Sequence, residues 1–237
     1  MKAVILAGGK GARLAPYTKI LPKPLMPIGD MPILEVLLRQ LKFAGVKDVV
    51  ITVGHLASLL RTYFTDGSEF GLNISYSHEE KPLGTAGPLS LIPALNETFF
   101  VMNGDVLTTL KFRNLLQFHK SQGAVATIAS HQRTVKIDLG VLQHADGDYR
   151  VTNYVEKPTY DYLVSMGIYV FEPQALELIP HNEYLDFPSL VLKLIAADKK
   201  VCYLPHDGYW KDLGRPDDYE QAAQDFESMR REFLPED

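Results

Sequence analysis

The sequence is poor in cysteine: among 237 residues there is one, Cys202. A lone cysteine excludes an internal disulfide framework and a cysteine-rich zinc site. Its place in the run Val201-Cys202-Tyr203-Leu204 reads as a small core hydrophobe. Long hydrophobic runs are missing too. The opening run from Ala3 to Ala7 is far shorter than a signal-peptide core, and no stretch reaches the roughly 18 apolar residues of a membrane span. Cytoplasmic residence is the default expectation, with no membrane partner. No internal repeat, low-complexity tract or long Gly/Ser linker marks a boundary, so residues 1–237 are expected to form one domain. The seven histidines show no metal-ligand spacing. Acidic residues are absent from the first 29 positions, which hold Lys2, Lys10, Arg13, Lys19 and Lys23, although the whole chain has a formal net charge of −5. The overall acidity argues against nucleic acid as a partner, and the first segment reads as a local anion site on an acidic protein.

What the chain does contain is ordinary for a globular protein: 46% hydrophobic and 22% charged residues, with 17 Gly and 15 Pro, a balance that excludes collagen, coiled-coil and disordered classes. Apolar periodicity predicts strands at 2–6, 48–53, 73–77 and 98–103, with helices near 33–43, 55–64, 87–94 and 112–121. Four βα units in succession specify an α/β protein with a Rossmann-like, doubly wound, mostly parallel sheet. From Ala124 the pattern changes to β-runs at 125–130, 140–143, 149–156 and 165–171, with helices near 188–197 and 216–233. This mixed half is expected to extend the same sheet, and Pro235-Glu236-Asp237 to be a frayed tail.

The first strand runs into Leu6-Ala7-Gly8-Gly9-Lys10-Gly11-Ala12-Arg13-Leu14, followed by Pro22-Lys23-Pro24-Leu25. Glycines directly after a buried strand let the backbone approach a phosphate, and exposed N–H groups with neighbouring cations supply the attraction. A P-loop would end in Gly-Lys-Ser/Thr, whereas Gly11 is followed by Ala12-Arg13. A dinucleotide fingerprint would need glycine where Leu14 stands and an acid after the second strand, which ends in Val53-Gly54-His55. A plain βα turn accounts for one glycine but not for the flanking cations. Arg13 offers a planar fork suited to phosphates, and Lys23, held between two prolines, a point charge. Asp105 falls at the carboxyl edge of the fourth strand, where parallel sheets place their ligands, and Asp212 in a late loop. Read alone, Asn103-Gly104-Asp105 is equally a turn, Asp212 equally a helix cap, and Glu156-Lys157 equally a strand-end ion pair.

In these residues the chain resembles the sugar-1-phosphate nucleotidylyltransferases (NDP-sugar pyrophosphorylases). The resemblance runs through six motifs in order: residues 8–14 with 22–25, Pro82-Leu83-Gly84-Thr85-Ala86-Gly87, Asn103-Gly104-Asp105, Val155-Glu156-Lys157-Pro158, Gly167-Ile168-Tyr169, and Trp210-Lys211-Asp212-Leu213-Gly214. In motif it is closest to mannose- and heptose-1-phosphate guanylyltransferases. The resemblance implies the nucleotide-diphospho-sugar transferase fold with a sugar-binding carboxyl-terminal half. The implied reaction is attack by a sugar 1-phosphate on the α-phosphorus of a nucleoside triphosphate, GTP favoured, releasing pyrophosphate. Such chemistry needs in-line positioning and charge neutralisation, not a side-chain nucleophile. The implied catalytic set is Arg13, Lys23, Asp105, Lys157 and Asp212, with Asp105 and Asp212 binding Mg²⁺, a cation that favours hard oxygen ligands. Nucleotide contacts are implied at Leu6, Ala7, Gly8, Gly9, Gly11, Ala12, Arg13, Lys23, Glu79, Gly84, Thr85 and Asp105, and sugar contacts at Gly140, Glu156, Lys157 and Ser165. Glu79 resembles the position that reads the base edge; a carboxylate only accepts, and guanine offers two adjacent donors where uracil and thymine offer one.

Two departures stand out. Members often have Thr at Ala12, whose contribution is mainly a backbone N–H. Mannose-1-phosphate guanylyltransferases tend to have Asn where Ser165 stands, which counts against mannose itself. The sequence ends where longer relatives add a left-handed β-helix, so an appended acyltransferase is not expected, and a homo-oligomer is left open. The competing class is a nucleotide-sugar-binding regulatory subunit without turnover, against which the intact Arg13, Lys23, Asp105, Lys157 and Asp212 speak.

Overall fold

The first strand, β1 (Lys2–Leu6), turns Ala3 and Ile5 to one face and Val4 to the other, and all three are fully buried. A strand buried on both faces belongs inside a sheet covered by two layers. In the computed structural model, which describes residues 1–147 and 149–234, β1 lies within a seven-stranded sheet. The expected tail at 235–237 lies outside the described residues. The other strands are β2 (Asp48–Val53), β3 (Asn73–His78), β4 (Phe99–Asn103), β5 (Ala126–Lys136), β6 (Thr159–Phe171) and β7 (Val201–Pro205), in the order β7-β5-β6-β4-β1-β2-β3. Strands β4, β1, β2 and β3 are parallel, and β6 alone runs against its neighbours. Through β5, β6 and β7 the mixed half extends the sheet begun by the first half, as expected, but the β-runs expected at 140–143 and 149–156 stay out of it: Val141–His144 and Val151–Val155 pair antiparallel as a separate two-stranded sheet.

On one face, α1 (Ile33–Phe43) buries Leu34, Leu37, Leu38 and Leu41, the i, i+3, i+4, i+7 stripe of an amphipathic helix, alongside α2 (Ala57–Phe64) and α3 (Phe112–Gln122). The opposite face is covered by α4 (Phe187–Ala196), capped by Asp186 accepting from the Ser189 N–H at 2.9 Å. A third cluster joins Leu14, Met26, Leu107 and Leu213 to Phe226 of α5 (Pro216–Ser228) and Phe233 of α6 (Arg230–Phe233).

Several expectations need correction. Residues 87–94 form a 3₁₀ turn, Gly87–Leu91, rather than an α-helix. Pro93 pushes the preceding Ile92 into extended backbone, φ −96° and ψ 114°, which ends the turn after five residues. The last helix is broken at Met229, between α5 and α6. Strands β5 and β6 run on as an arm that pairs Ser130↔Ser165 through Lys136↔Thr159. Cys202 is half-buried rather than a core residue, because β7 is an edge strand paired on one side only. Among the described residues no helix is long and apolar enough to cross a membrane.

Candidate active site

From β1 the chain crosses to β2 and β3 on one side, then returns to place β4 on the other, with Leu6 opposite Asn103. The loops after β1 and β4 part at this switch point, the crevice where open α/β sheets place ligands. A cleft of about 730 Å³ opens there. Its walls bring together Leu6, Ala7, Gly8, Gly9, Gly11, Arg13, Lys23, Glu79, Gly84, Thr85, Asp105 and Asp212. Ala12, Gly140, Glu156, Lys157 and Ser165 are not among its lining residues.

The glycines after β1 do different work. Gly11 holds φ at 58°, a left-handed conformation that glycine adopts freely, and its carbonyl accepts from the Thr18 hydroxyl at 2.8 Å. Gly8 faces the Glu79 carboxylate so closely that a Cβ would collide with it, whereas Gly9 has open space beside it and leaves its backbone accessible. Each polar residue here neighbours a buried anchor. Leu14 follows Arg13, Leu25 and Met26 follow Lys23 and Pro24, and Leu213 follows Asp212, all buried.

Lys23 is only 8% exposed. Its ammonium donates to Asp105 Oδ2 in a very short contact and to Asp212 Oδ1 at 3.3 Å. Asp105 lies in the turn after β4, and the short strand Trp210–Asp212 pairs antiparallel with Val106–Thr108, which sets Asp212 beside Val106. This ladder brings the two carboxylates to a single cation. Two carboxylates gathered around one ammonium match the donor set of a hard cation that completes its shell with phosphate oxygens and water. Among the described residues no group of three or more acidic, His or Cys side chains is arranged for a metal. The Arg13 guanidinium lies over Gly214, where an added Cβ would fall 2.8 Å from Nη2, and it makes no ion pair among the described residues.

Glu79 follows β3 and accepts the Leu83 N–H at 3.0 Å; burial raises its carboxyl above the ordinary value. Gly84, at φ 78°, packs against the Leu185 carbonyl. The Thr85 hydroxyl accepts the Phe187 N–H at 2.9 Å, so it anchors the start of α4. Outside the cleft, Gly140 leaves room for the Tyr154 phenol. Lys157, exposed and free of ion pairs among the described residues, holds φ at 45°, and Glu156 beside it is exposed. The Ser165 hydroxyl donates to Tyr169 at 3.0 Å and accepts from the Gly167 N–H at 3.3 Å, at the bulge where β6 loses register with β5.

Sequence reasoning missed several lining residues, among them Thr52, His55, Asn103 and Tyr184. Asn103 lies inside a recognised motif and was within reach. Tyr184 carries no local signal, since only the packing of 183–185 on the 82–87 loop brings it to the cleft.

Fold and site define an open α/β protein with a glycine-rich, cation-lined cleft at its sheet's switch point. The chain belongs to the nucleotidyl transferase family, whose profile matches residues 2–229. It is 36% identical to a UTP–glucose-1-phosphate uridylyltransferase of Synechocystis over 94% of its length, and 36% identical to a mannose-1-phosphate guanyltransferase of Yarrowia lipolytica over 92%. In each case it spans 62% of the relative's length. Among solved structures it resembles HddC from Yersinia pseudotuberculosis complexed with GMP-PN, with a TM-score of 0.71 and 25% identity, covering 95% of this chain and 99% of that one.

Proposed function

We propose that this chain is a single nucleotidyltransferase domain that transfers a nucleoside monophosphate from a nucleoside triphosphate, GTP favoured, to a sugar 1-phosphate. The observation that carries this reading is the convergence of Lys23, Asp105 and Asp212 beside Arg13 and an open glycine loop. It is an arrangement suited to polyphosphate. A phosphate oxygen of the sugar 1-phosphate attacks the α-phosphorus; the bond to the bridging β-oxygen breaks, and its electron pair leaves with pyrophosphate. Both partners are anions, so the protein's task is to hold them in line and offset their charge. Arg13 takes the β- and γ-phosphates, the Gly9 backbone lies along them, and Lys23 serves the α-phosphate. Asp105 and Asp212 hold Mg²⁺, which when bound supplies further neutralisation of the phosphate charge. The working location that suits these substrates is the cytoplasm.

Glu156 accepts from sugar hydroxyls, Gly140 and Ser165 are the further residues assigned to the sugar, and Lys157 clamps the sugar phosphate. Its left-handed backbone supports this role, since non-glycine residues held there cost about 1–3 kcal/mol and cluster at functional sites. Lys157→Ala is expected to raise the KM for sugar 1-phosphate, and Arg13→Ala to weaken the triphosphate, each by roughly tenfold or more. Separate titrations of the two ligands check this; equal effects on both would show the subsites to be misplaced.

GTP is favoured because the Glu79 carboxylate accepts two donors from guanine. Glu79→Gln is expected to erode the preference for GTP by about 1–2 kcal/mol while leaving pyrimidine nucleotides nearly unchanged. The contact needs the ionised form. Because burial raises the pKa, the guanine advantage is lost on acidification at a higher pH than an exposed glutamate would give, and the Gln variant lacks that step. Nucleotide selectivity measured against pH in both proteins decides it. The equal identity to a uridylyltransferase favours UTP as the second reading, which a wild-type preference for UTP would establish.

A further inference from the structure

A second cleft, of about 390 Å³, adjoins the first and shares Arg13 and Asp212 with it. Its other walls are the β5 segment 131–134, carrying Arg133, and the segment after Asp212, carrying Arg215. The guanidinium groups of Arg13, Arg133 and Arg215 make no hydrogen bond or ion pair among the described residues. Lys211, also on the wall, is held by Asp225 at 3.5 Å. Of the two lining carboxylates, Asp212 is engaged by Lys23 at 3.3 Å, which leaves Asp218 against three free guanidinium groups. On a protein with a net charge of −5, such a concentration of unpaired arginines in one concavity favours a multiply charged anion there.

We infer that Arg133 and Arg215 form, with Arg13, a subsite for the pyrophosphate product. The inference rests on the reaction proposed above. The residues assigned to the sugar, Gly140, Glu156, Lys157 and Ser165, line neither cleft. The second cleft instead continues from Arg13, the side to which the β- and γ-phosphates are assigned. In-line displacement sends the leaving group away from the incoming nucleophile, and here the way out passes Arg13. Gly214 makes the passage possible: a side chain there would occupy the space of the Arg13 guanidinium. Three guanidinium forks suit the several oxygens of pyrophosphate and exceed what one carboxylate on a sugar would need. The reaction replaces one phosphoanhydride by another, so its free-energy change is small. The hold on pyrophosphate then governs product inhibition and the ease of the reverse reaction.

The test is calorimetric titration of inorganic pyrophosphate, with Mg²⁺ present, into wild type, Arg133→Gln and Arg215→Gln, joined to forward kinetics with added pyrophosphate. Both arginines are exposed, so the variants should fold, and circular dichroism verifies it. Each variant is expected to bind pyrophosphate about tenfold more weakly and to resist product inhibition to the same degree. The KM for sugar 1-phosphate should stay within about twofold of wild type, since the residues assigned to the sugar line neither cleft. Unchanged pyrophosphate binding in both variants overturns the subsite. So does a raised KM for sugar 1-phosphate with pyrophosphate unaffected, which would give the cleft to the sugar. Arginine-dependent pyrophosphate binding in a wild type that turns over no substrate pair would uphold the anion site and defeat the proposed reaction instead.

Discussion

Asp212→Asn and Asp105→Asn are each expected to lower turnover by at least about 100-fold while the protein stays folded. Both changes keep the shape of the side chain and remove one negative charge from a position facing the cleft. The backbone around them does not depend on that charge. Asp212 sits on a short ladder with Val106, followed by fully buried Leu213, and the Leu213 N–H bonds the Asp105 carbonyl at 3.2 Å. What is lost is one of the two carboxylates assigned to Mg²⁺ in the proposed reaction. Rates of pyrophosphate release over a range of Mg²⁺ concentrations, with melting curves for each variant, check the expectation. Near-normal turnover in either folded variant would remove the metal assignment.

Lys23→Met is expected to act on stability as well as on turnover. This ammonium lies between Asp105 and Asp212, whose side chains are 22% and 45% exposed. Removing one partner of a buried ion pair typically costs about 3–5 kcal/mol, and the part-exposure of both acids brings the expected loss nearer 2 kcal/mol. For a domain of this size that corresponds to a fall in Tm of roughly 4–8 °C. The signature of the arrangement is its reversal. With the ammonium gone, Mg²⁺ has the two carboxylates to itself and should restore more of the melting temperature in the variant than it adds to wild type. Turnover is expected to stay low in either case, because the charge assigned to the α-phosphate in the proposed reaction is missing. A variant as stable as wild type, and indifferent to Mg²⁺, would show that the two carboxylates do not share a cation.

Strands β1, β2 and β4 were legible because their residues are mostly buried on both sides. The boundaries of β1, β2 and α1 agree with apolar periodicity to the residue, since few positions in 2–6, 48–53 and 33–43 face water. The β5–β6 arm was not legible. Residues 132–136 are exposed, and a strand without a buried face carries no alternation to read. The expected helix at 87–94 failed for a different reason. Its composition allows a helix, but Pro93 drives the preceding Ile92 into extended backbone and stops the turn after five residues, a local signal that apolar periodicity does not carry.

The site was legible in its parts and not in its assembly. The glycine loop, Lys23 and Asp105 announce phosphate chemistry through residue type and their place after strands. That one ammonium bridges two acids lying 82 and 189 positions further along the chain follows only from the switch point and the short ladder at Asp212. Thr85 and Gly84, implied as nucleotide contacts by resemblance, are engaged with Phe187 and Leu185 as well, so substitutions there would disturb α4 along with the cleft. Arg133 and Arg215 were overlooked because exposed arginines on a strand and before a helix look like ordinary solvated charges until the fold sets them around one concavity with Arg13.

The most direct measurement is pyrophosphate release by the wild-type protein across a matrix of GTP, UTP, dTTP, ATP and CTP against a panel of sugar 1-phosphates, with and without Mg²⁺. Release is expected only when triphosphate, sugar 1-phosphate and Mg²⁺ are all present, with GTP the preferred nucleotide and an NDP-sugar formed in equal amount. A preference for UTP or dTTP would contradict the role given to Glu79 and leave the reaction standing. Binding of nucleotide and sugar phosphate without pyrophosphate release from any pair would contradict the reaction itself.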